Sequence, residues 1–341
     1  FAFDESGNCK GQEIQDFLAY ILRGEFQKGE GKLSTYNIED DYLELFRTHL
    51  NLGPRRVKVV IDPGNGTTSI IAKKLYEMFP MDLVVINGES DGTFPNHHPD
   101  PCVEENLSQL KKKVLEVHAD VGLAFDGDGD RMGMVTNSAK FLPNDLYMIL
   151  MIRDMIDKVP KKEFLYDVKY SKALSDEISR LGGKGICYRT GNSYTKAKVR
   201  DDDLPFGGEL SGHVYFRDRW LGFDSGLYAG LRMVELLSRC SESVDELTKD
   251  IPVYYSTSEL KFSASDDVKF SIVDKIGEYA DSKNYEHLDI DGVKVLFDDG
   301  WALVRASNTG PNITARFEAN TKERLEELQN EFITVLQELL K

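Results

Sequence analysis

The feature that most constrains the fold is an alternation of apolar strand-like runs with helical segments, which begins at Val57. The run VKVVID is rich in β-branched residues, PGNGTT is typical of a turn, and SIIAKKLYEMF has apolar residues at helical spacing. A strand at DLVVI, a helix over residues 104–117 and a strand at DVGLAF continue the pattern. Strands that alternate with helices form βαβ units, so the sequence predicts an α/β protein made of successive βαβ domains with mixed sheets.

The pattern divides the chain into four segments. A second alternating series begins at EFLYDV, and after Pro252 strand-like runs are followed by one long helix, which predicts a C-terminal α+β domain. We expect that helix to begin at Asn320, with Glu323 completing a capping box. The first segment has too few residues for a core of its own. The predicted segments are residues 1–52, 53–141, 142–251 and 252–341.

The net charge and the cysteine spacing indicate which partners the chain can bind and in which compartment it is found. The chain has 42 Lys and Arg against 58 Asp and Glu, a formal net charge of −16, which argues against nucleic acid and anionic membranes as partners. Its four cysteines are far apart in sequence, as in proteins of a reducing cytoplasm. The most apolar helical run, residues 146–156, contains Arg153 and Asp154 and is shorter than the roughly 20 residues that a membrane span needs. We therefore expect a soluble cytoplasmic protein.

An acidic loop directly follows the strand VGLAF. Three carboxylates alternate with glycines in the run DGDGDR, a spacing that lets the backbone curl until their oxygens converge on one hard cation. An EF-hand needs Gly at position 6 and Glu at position 12, where this chain has Arg131 and Asn137, so a calcium-sensor loop is excluded. An acidic surface turn is the simpler alternative. The predicted metal ligands are Asp126, Asp128 and Asp130.

Two further loops carry side chains suited to a sugar phosphate. In GELSGH the carboxylate and hydroxyl can bond vicinal sugar hydroxyls, and the histidine can move a proton near neutral pH. In RASNTGP a guanidinium, hydroxyls and an amide can satisfy the oxygens of a phosphate. Taken alone, each is more often a plain turn that bonds its own backbone. The candidate residues are Glu209, Ser211 and His213 in the first loop and Arg305, Ser307, Asn308 and Thr309 in the second.

Together these motifs resemble those of the α-D-phosphohexomutase superfamily, of the phosphomannomutase/phosphoglucomutase type. DGDGDR resembles its metal loop, GELSGH its sugar loop and RASNTGP its phosphate loop, and they occur in the family's order. NHHPDP at residues 96–101 and Asp167-Val-Lys169 support the resemblance. It implies four domains in the intact protein, Mg²⁺ on the three aspartates, and positive charge from Arg131 and Lys169 near the transferred phosphoryl group.

The resemblance implies interconversion of hexose 1-phosphate and hexose 6-phosphate, with mannose or glucose as the sugar, through a phosphoserine and a 1,6-bisphosphate. No segment of the T-A-S-H-N-P type that carries this serine occurs in the 341 residues, so we expect the serine upstream and the isolated chain to be catalytically inactive. The chain departs from the family's usual residues at two positions. Ala2 stands where relatives usually have an active-site lysine, and Asn192 stands where they commonly have a histidine.

Three alternatives are weighed against this function. The run IDPGNGTT lacks both the GxxxxGK[ST] and the GxGxxG spacing, so it does not indicate a nucleotide site. Phosphoglucosamine mutase has a similar sugar loop, although NHHPDP and the SNT run favour the mannose or glucose enzyme. The third alternative is a module that binds metal or sugar phosphate without catalysis.

Overall fold

A computed structural model describes residues 2–4, 7–307 and 310–341 of the chain. Its strands are β1 (Ala2–Asp4), β2 (Gly7–Asn8), β3 (Val57–Asp62), β4 (Met81–Val85), β5 (Val121–Phe125), β6 (Met132–Thr136), β7 (Phe141–Leu142), β8 (Glu163–Asp167), β9 (Lys184–Tyr188), β10 (Phe206–Gly208), β11 (Val214–Phe216), β12 (Tyr255–Ser256), β13 (Leu260–Ser263), β14 (His287–Leu288), β15 (Val293–Phe297), β16 (Gly300–Ala306) and β17 (Asn312–Ala319). Its α-helices are α1 (Gln12–Arg23), α2 (Glu39–His49), α3 (Ala72–Glu77), α4 (Ser108–Val117), α5 (Asn144–Met155), α6 (Lys172–Arg180), α7 (Asn192–Asp201), α8 (Gly226–Arg239), α9 (Val244–Thr248), α10 (Lys269–Ser282) and α11 (Lys322–Leu339).

The chain forms two compact units. The first contains residues 1–142, 191–207 and 211–245, and the second contains residues 143–190, 208–210 and 246–341. The boundaries predicted at residues 52, 141 and 251 stay a prediction. Within the described residues, no helix is long and apolar enough to cross a membrane.

The first unit is built on a five-stranded mixed sheet with the strand order β4-β3-β5-β6-β7. Strand β3 pairs in parallel with β4 and β5, whereas β6 and β7 are added antiparallel. Helix α4 packs against this sheet in a buried cluster that includes Val60, Leu110 and Val135. The predicted α/β class with mixed sheets is confirmed. The parallel strands β3 and β5 end at one edge, which is where the acidic loop begins.

The second unit contains the parallel pair β8 and β9 with helix α6, and a C-terminal antiparallel sheet. That sheet has the order β12-β17-β16-β15-β14, with β13 also paired to β17, and helices α10 and α11 contribute Ile276, Phe332 and Leu336 to its core. The predicted C-terminal α+β domain is therefore confirmed. The predicted start of its last helix is wrong by one residue, because the Thr321 hydroxyl, and not Asn320, caps α11 by accepting from the Arg324 N–H at 3.1 Å.

A buried carboxylate fixes the turn after β3 in the first unit. Asp62 is fully buried, accepts hydrogen bonds from the Gly64 N–H and the Asn87 side chain, and lies 3.0 Å from His97 Nε2. The hydrogen bond with Asp62 raises the pKa of His97 above its ordinary value, although burial opposes the shift. The NHHPDP segment is thus tied to the end of β3 through His97.

The His97 pair predicts a pH-dependent contribution to stability. Because the folded-state pKa of His97 is raised, its contribution is fully present below the unfolded pKa of about 6.5 and is lost as the pH rises through the folded value. His97→Gln should lower the free energy of unfolding by about 1 kcal/mol more at acidic than at alkaline pH. Denaturant unfolding across this pH range measures the difference, with His98→Gln, an exposed neighbour, as the control. An equal loss of unfolding free energy in His97→Gln at every pH would contradict this prediction.

Candidate functional site

The acidic loop after β5 is held in a tight curl by its first carboxylate. Asp126 is buried, and its Oδ1 accepts hydrogen bonds from the N–H groups of Gly129 and Arg131, both at 3.0 Å. Its Oδ2 accepts a charged hydrogen bond from Arg131 Nε at 2.7 Å. Gly129 has φ +80°, and a Cβ there would overlap the Thr68 side chain, so only glycine fits this turn. The loop conformation therefore follows directly from the D-G-D-G-D-R pattern.

The three predicted metal ligands come together in this loop. One carboxylate oxygen from each of Asp126, Asp128 and Asp130 lies within 4.8 Å of the others. Burial raises the pKa of Asp130 to about 7, with the Asp126, Asp224 and Asp128 carboxylates adding to the shift and His213 opposing it. Burial and the charge of Asp126 also raise the pKa of Asp128. These carboxylates repel one another, and a bound cation would relieve that repulsion.

His213 lies beside the acidic loop and is held by Asn192 and by Asp224, of which the sequence did not single out Asp224. Its Nδ1 lies 2.9 Å from Asp224 Oδ2, 3.1 Å from Asn192 Nδ2 and 3.6 Å from Asp130 Oδ1. Asp224 also accepts a hydrogen bond from Asn192 and pairs with Lys196 at 2.7 Å. Burial alone would raise the pKa of Asp224, but the bonds from His213 and Lys196 lower it to about 2. Asp224 is thus an anionic anchor for the imidazole.

Arg131 and Ser211 are positioned by backbone contacts in the same unit. Arg131 forms an isolated antiparallel bridge with His213, and its Nη1 lies 3.5 Å from Asp100. The Ser211 carbonyl accepts a hydrogen bond from the Cys102 thiol at 2.9 Å. The structure therefore brings Arg131 and His213 to the three aspartates, and it places the Ser211 backbone against the segment that follows NHHPDP.

In the second unit, one buried carboxylate holds both Lys169 and the segment that carries Glu209. Asp167 Oδ1 accepts from the Lys169 N–H at 2.8 Å, and its Oδ2 accepts from the Leu210 N–H at 3.2 Å. The Lys169 ammonium lies 3.8 Å from the same carboxylate. The Asn144 side chain donates to the Glu209 carbonyl at 2.7 Å. Lys169 and Glu209 are therefore fixed by a common set of buried polar groups.

Arg305 lies near the end of β16 and is already paired with a carboxylate. Its Nη2 lies 2.9 Å from Asp291 Oδ2, and both side chains are about nine-tenths buried. Asp291 also accepts hydrogen bonds from the backbone and the hydroxyl of Thr190. Ser307 is buried, and its N–H donates to the Asn312 carbonyl at 2.9 Å. The other two predicted phosphate ligands, Asn308 and Thr309, lie outside the described residues.

A buried lysine on α10 supports the backbone on both sides of those two positions. Lys269 Nζ donates to the Ser307 carbonyl at 2.7 Å and to the Gly310 carbonyl at 3.2 Å, and it pairs with Asp266 at 2.6 Å. Sequence reasoning did not identify this residue, because one lysine in an amphipathic helix is usually a solvated cation. Lys269 is a positioning residue for the RASNTGP loop.

If the RASNTGP loop binds a sugar phosphate as the sequence predicts, Lys269→Met should weaken that binding about tenfold, because two backbone carbonyls of the loop lose a charged donor. Calorimetric titration of the sugar phosphate measures the change. Lys275→Met, on the exposed face of the same helix, is the matched control and should bind normally. Lys269→Arg should restore much of the affinity, and unchanged binding by Lys269→Met would argue against the support.

Comparison with known proteins agrees with the family resemblance of the motifs over most of the chain. Residues 40–139 match the family described as phosphoglucomutase/phosphomannomutase, alpha/beta/alpha domain II, residues 143–255 match its domain III, and residues 260–335 match its C-terminal domain. The phosphomannomutase/phosphoglucomutase of Pseudomonas putida is 38% identical over 325 residues, covering 95% of this chain and 70% of that protein. The phosphoglucomutase of Neisseria gonorrhoeae is 36% identical over 331 residues, covering 96% of this chain and 72% of that protein.

Solved structures agree with these matches. A phosphoglucomutase/phosphomannomutase family protein from Burkholderia thailandensis superposes with a TM-score of 0.90 at 36% identity, covering 97% of this chain and 71% of that one. An N-acetylphosphoglucosamine mutase from Aspergillus fumigatus, solved with GlcNAc-6P and magnesium, has a TM-score of 0.61 at 14% identity, covering 87% of this chain and 68% of that one. The second likeness concerns the fold alone.

Proposed function

Because this chain belongs to the phosphoglucomutase/phosphomannomutase family of the α-D-phosphohexomutase superfamily, we propose that the intact protein interconverts hexose 1-phosphates and hexose 6-phosphates, with mannose, glucose or both as the sugar. The observation that carries the proposal is the convergence of Asp126, Asp128 and Asp130 within 4.8 Å. Arg131 and His213 lie beside them, as a phosphoryl-transfer site requires.

The acidic loop fits a hard divalent cation. Three carboxylates and no nitrogen or sulfur donor make up the aspartate cluster, and oxygen-only donor sets suit Mg²⁺. We assign Asp126, Asp128 and Asp130 as its ligands. The cation would neutralise charge that develops on the transferred phosphoryl group.

The remaining roles follow from the chemistry of each side chain. Arg131 and Lys169 stabilise the negative charge of the phosphoryl group, and His213, oriented by Asp224, moves a proton to or from a sugar hydroxyl. Glu209 and Ser211 bind the sugar hydroxyls. The phosphate that is not being transferred is bound by Arg305, Ser307, Asn308 and Thr309.

A phosphoryl group that changes position on a sugar needs a covalent carrier. We assign this role to a phosphoserine in a segment of the T-A-S-H-N-P type, with a hexose 1,6-bisphosphate as the intermediate. The 341 residues contain no such segment, so by themselves they bind substrate without turnover. The dispersed cysteines favour the cytoplasm as the compartment.

The test separates binding from turnover. Purified as these 341 residues, the chain should bind glucose 1-phosphate and mannose 1-phosphate in calorimetric titrations with Mg²⁺. It should produce no 6-phosphate in a ³¹P NMR assay, even with added glucose 1,6-bisphosphate. Turnover by this chain would refute the assignment of the carrier.

Failure to bind any hexose phosphate would refute the proposed function itself. Glucosamine 1-phosphate and glucosamine 6-phosphate serve as the second pair of ligands. Tighter binding of this pair would favour phosphoglucosamine mutase over the mannose or glucose enzyme.

A further inference from the structure

The second unit contains a cavity of about 190 Å³ whose wall is largely aromatic and aliphatic. It lies where the β8–β9 pair and helix α6 face strands β14, β15 and β16. A cavity of about 150 Å³ is already large enough to hold benzene. The apolar part of its wall is formed by Tyr166, Tyr170, Leu288, Leu296, Phe297 and Trp301.

Lys294, on β15, contributes a buried ammonium group to this wall. The residue is only 5% exposed, and its Nζ lies 4.3 Å from the centre of the Trp301 ring. Its hydrogen bond to the Tyr170 carbonyl is long, at 3.4 Å, and it forms no ion pair with any residue that the structure describes. Burial lowers the pKa of Lys294, which reflects the cost of the charged form in this environment. Two of its three donors make no hydrogen bond within the described residues, although the charges of Glu318 and Asp167 also act on the ammonium.

The lining selects among possible anions. Phosphate would need several donors around its oxygens. Of the two lysines that line the cavity, Lys172 is already paired with Asp176 at 2.7 Å, so the wall offers the Lys294 ammonium, one thiol and a few hydroxyls set among rings. A carboxylate needs fewer donors, and a flat ring attached to it would pack against Trp301, Tyr166 and Tyr170. We propose that this cavity is a binding site for a small aromatic monocarboxylate, with its carboxylate on Lys294 and its ring among these aromatic side chains.

This site is separate from the residues assigned to the mutase reaction. Its lining contains none of the predicted metal, sugar or phosphate ligands. Binding there does not depend on Mg²⁺ or on a sugar phosphate. Failure of the proposed function would leave this proposal standing, and the reverse also holds.

Calorimetric titration with benzoate tests the site. Benzoate should bind with 1:1 stoichiometry in the absence of Mg²⁺, and benzamide, its neutral analogue, should bind at least tenfold more weakly. Inorganic phosphate should give no binding heat and should not displace benzoate. Equal affinity for benzoate and benzamide would overturn the role of Lys294, and stronger binding of phosphate would overturn the choice of ligand.

Two variants distinguish the site from binding elsewhere on the chain. Lys294→Met keeps the side-chain length but removes the charge, and it should weaken benzoate binding at least tenfold. Leu296→Trp keeps the charge but fills the cavity, and it should abolish binding. Lys261→Met, an exposed lysine on β13, is the control and should bind normally. Circular dichroism checks the fold of each variant, and benzoate binding that survives in folded Leu296→Trp would refute the site.

Cys187 gives an independent readout, because its thiol also lines the cavity. Iodoacetamide labelling followed by peptide mass spectrometry measures modification of Cys187 separately from that of Cys9, Cys102 and Cys240. Benzoate at saturation should slow labelling of Cys187 severalfold, and to the same extent in the control variant Lys261→Met. Unchanged Cys187 labelling at saturating benzoate would contradict occupancy of the cavity.

Discussion

Asp128→Asn is expected to weaken Mg²⁺ binding at least tenfold. Asp128 is the exposed member of the aspartate cluster, so its substitution removes a charged ligand without disturbing buried packing. The interaction of two unit charges about 4 Å apart near a protein surface is about 4 kcal/mol, and a tenfold change in affinity requires only about 1.4 kcal/mol. Calorimetric titration with Mg²⁺ at fixed pH and ionic strength measures the effect.

Asp203→Asn is the matched control for this prediction. Asp203 lies in the same unit, its side chain is 85% exposed, and the substitution changes the net charge by the same amount. It should leave Mg²⁺ affinity unchanged apart from a small general electrostatic effect. If Asp128→Asn binds Mg²⁺ as tightly as Asp203→Asn, the assignment of Asp128 as a ligand is wrong.

Arg305→Ala is expected to weaken hexose-phosphate binding by about 1.5–3 kcal/mol, the range for hydrogen bonds to charged groups. The same change should also destabilise the second unit by about 3 kcal/mol, because it leaves the buried Asp291 carboxylate without its cation. A loss of binding in this variant alone would therefore have two explanations. Calorimetric titration and denaturant unfolding measure the two effects separately.

The double variant Arg305→Ala with Asp291→Asn resolves them. It removes both charges, and the amide oxygen introduced at position 291 can still accept the hydrogen bonds from Thr190. Stability should recover most of the loss, whereas hexose-phosphate affinity should stay at the level of Arg305→Ala. Recovery of both would show that Arg305 serves the fold and does not bind phosphate.

Local sequence patterns were enough to predict individual strands and the conformation of the acidic loop. The run VKVVID is a strand over its full predicted length, and the acidic loop curls as its glycine spacing requires. Helix α7 was not predicted, because GNSYTKAKVR has too few apolar residues to show a periodic pattern, and its buried positions are Thr195, Ala197 and Val199. Tertiary packing decides that segment.

In the candidate site, too, residues close in sequence were predicted, and residues brought together only by tertiary packing were missed. Asp126, Asp128 and Asp130 are neighbours in sequence, so their convergence could be predicted from spacing alone. Asp224 and Asp291 were missed because each meets its partners only after folding. Asp291, for example, joins Thr190 to Arg305 across a large sequence separation. A single acidic residue in a loop or at a strand end carries no local signal of such a role.

The carboxylate of Asp167 has a consequence for attempts to alter substrate preference. One of its oxygens accepts a hydrogen bond from the Lys169 N–H, and the other accepts one from the N–H of Leu210, the residue after Glu209. The carboxylate therefore fixes the positions of both backbone segments. A substitution that shifts the turn proposed to bind the sugar would displace the same carboxylate and move the Lys169 segment with it. Redesign of one segment therefore has to be paired with compensating changes in the other, and libraries that vary both together should yield more working combinations than libraries that vary either alone.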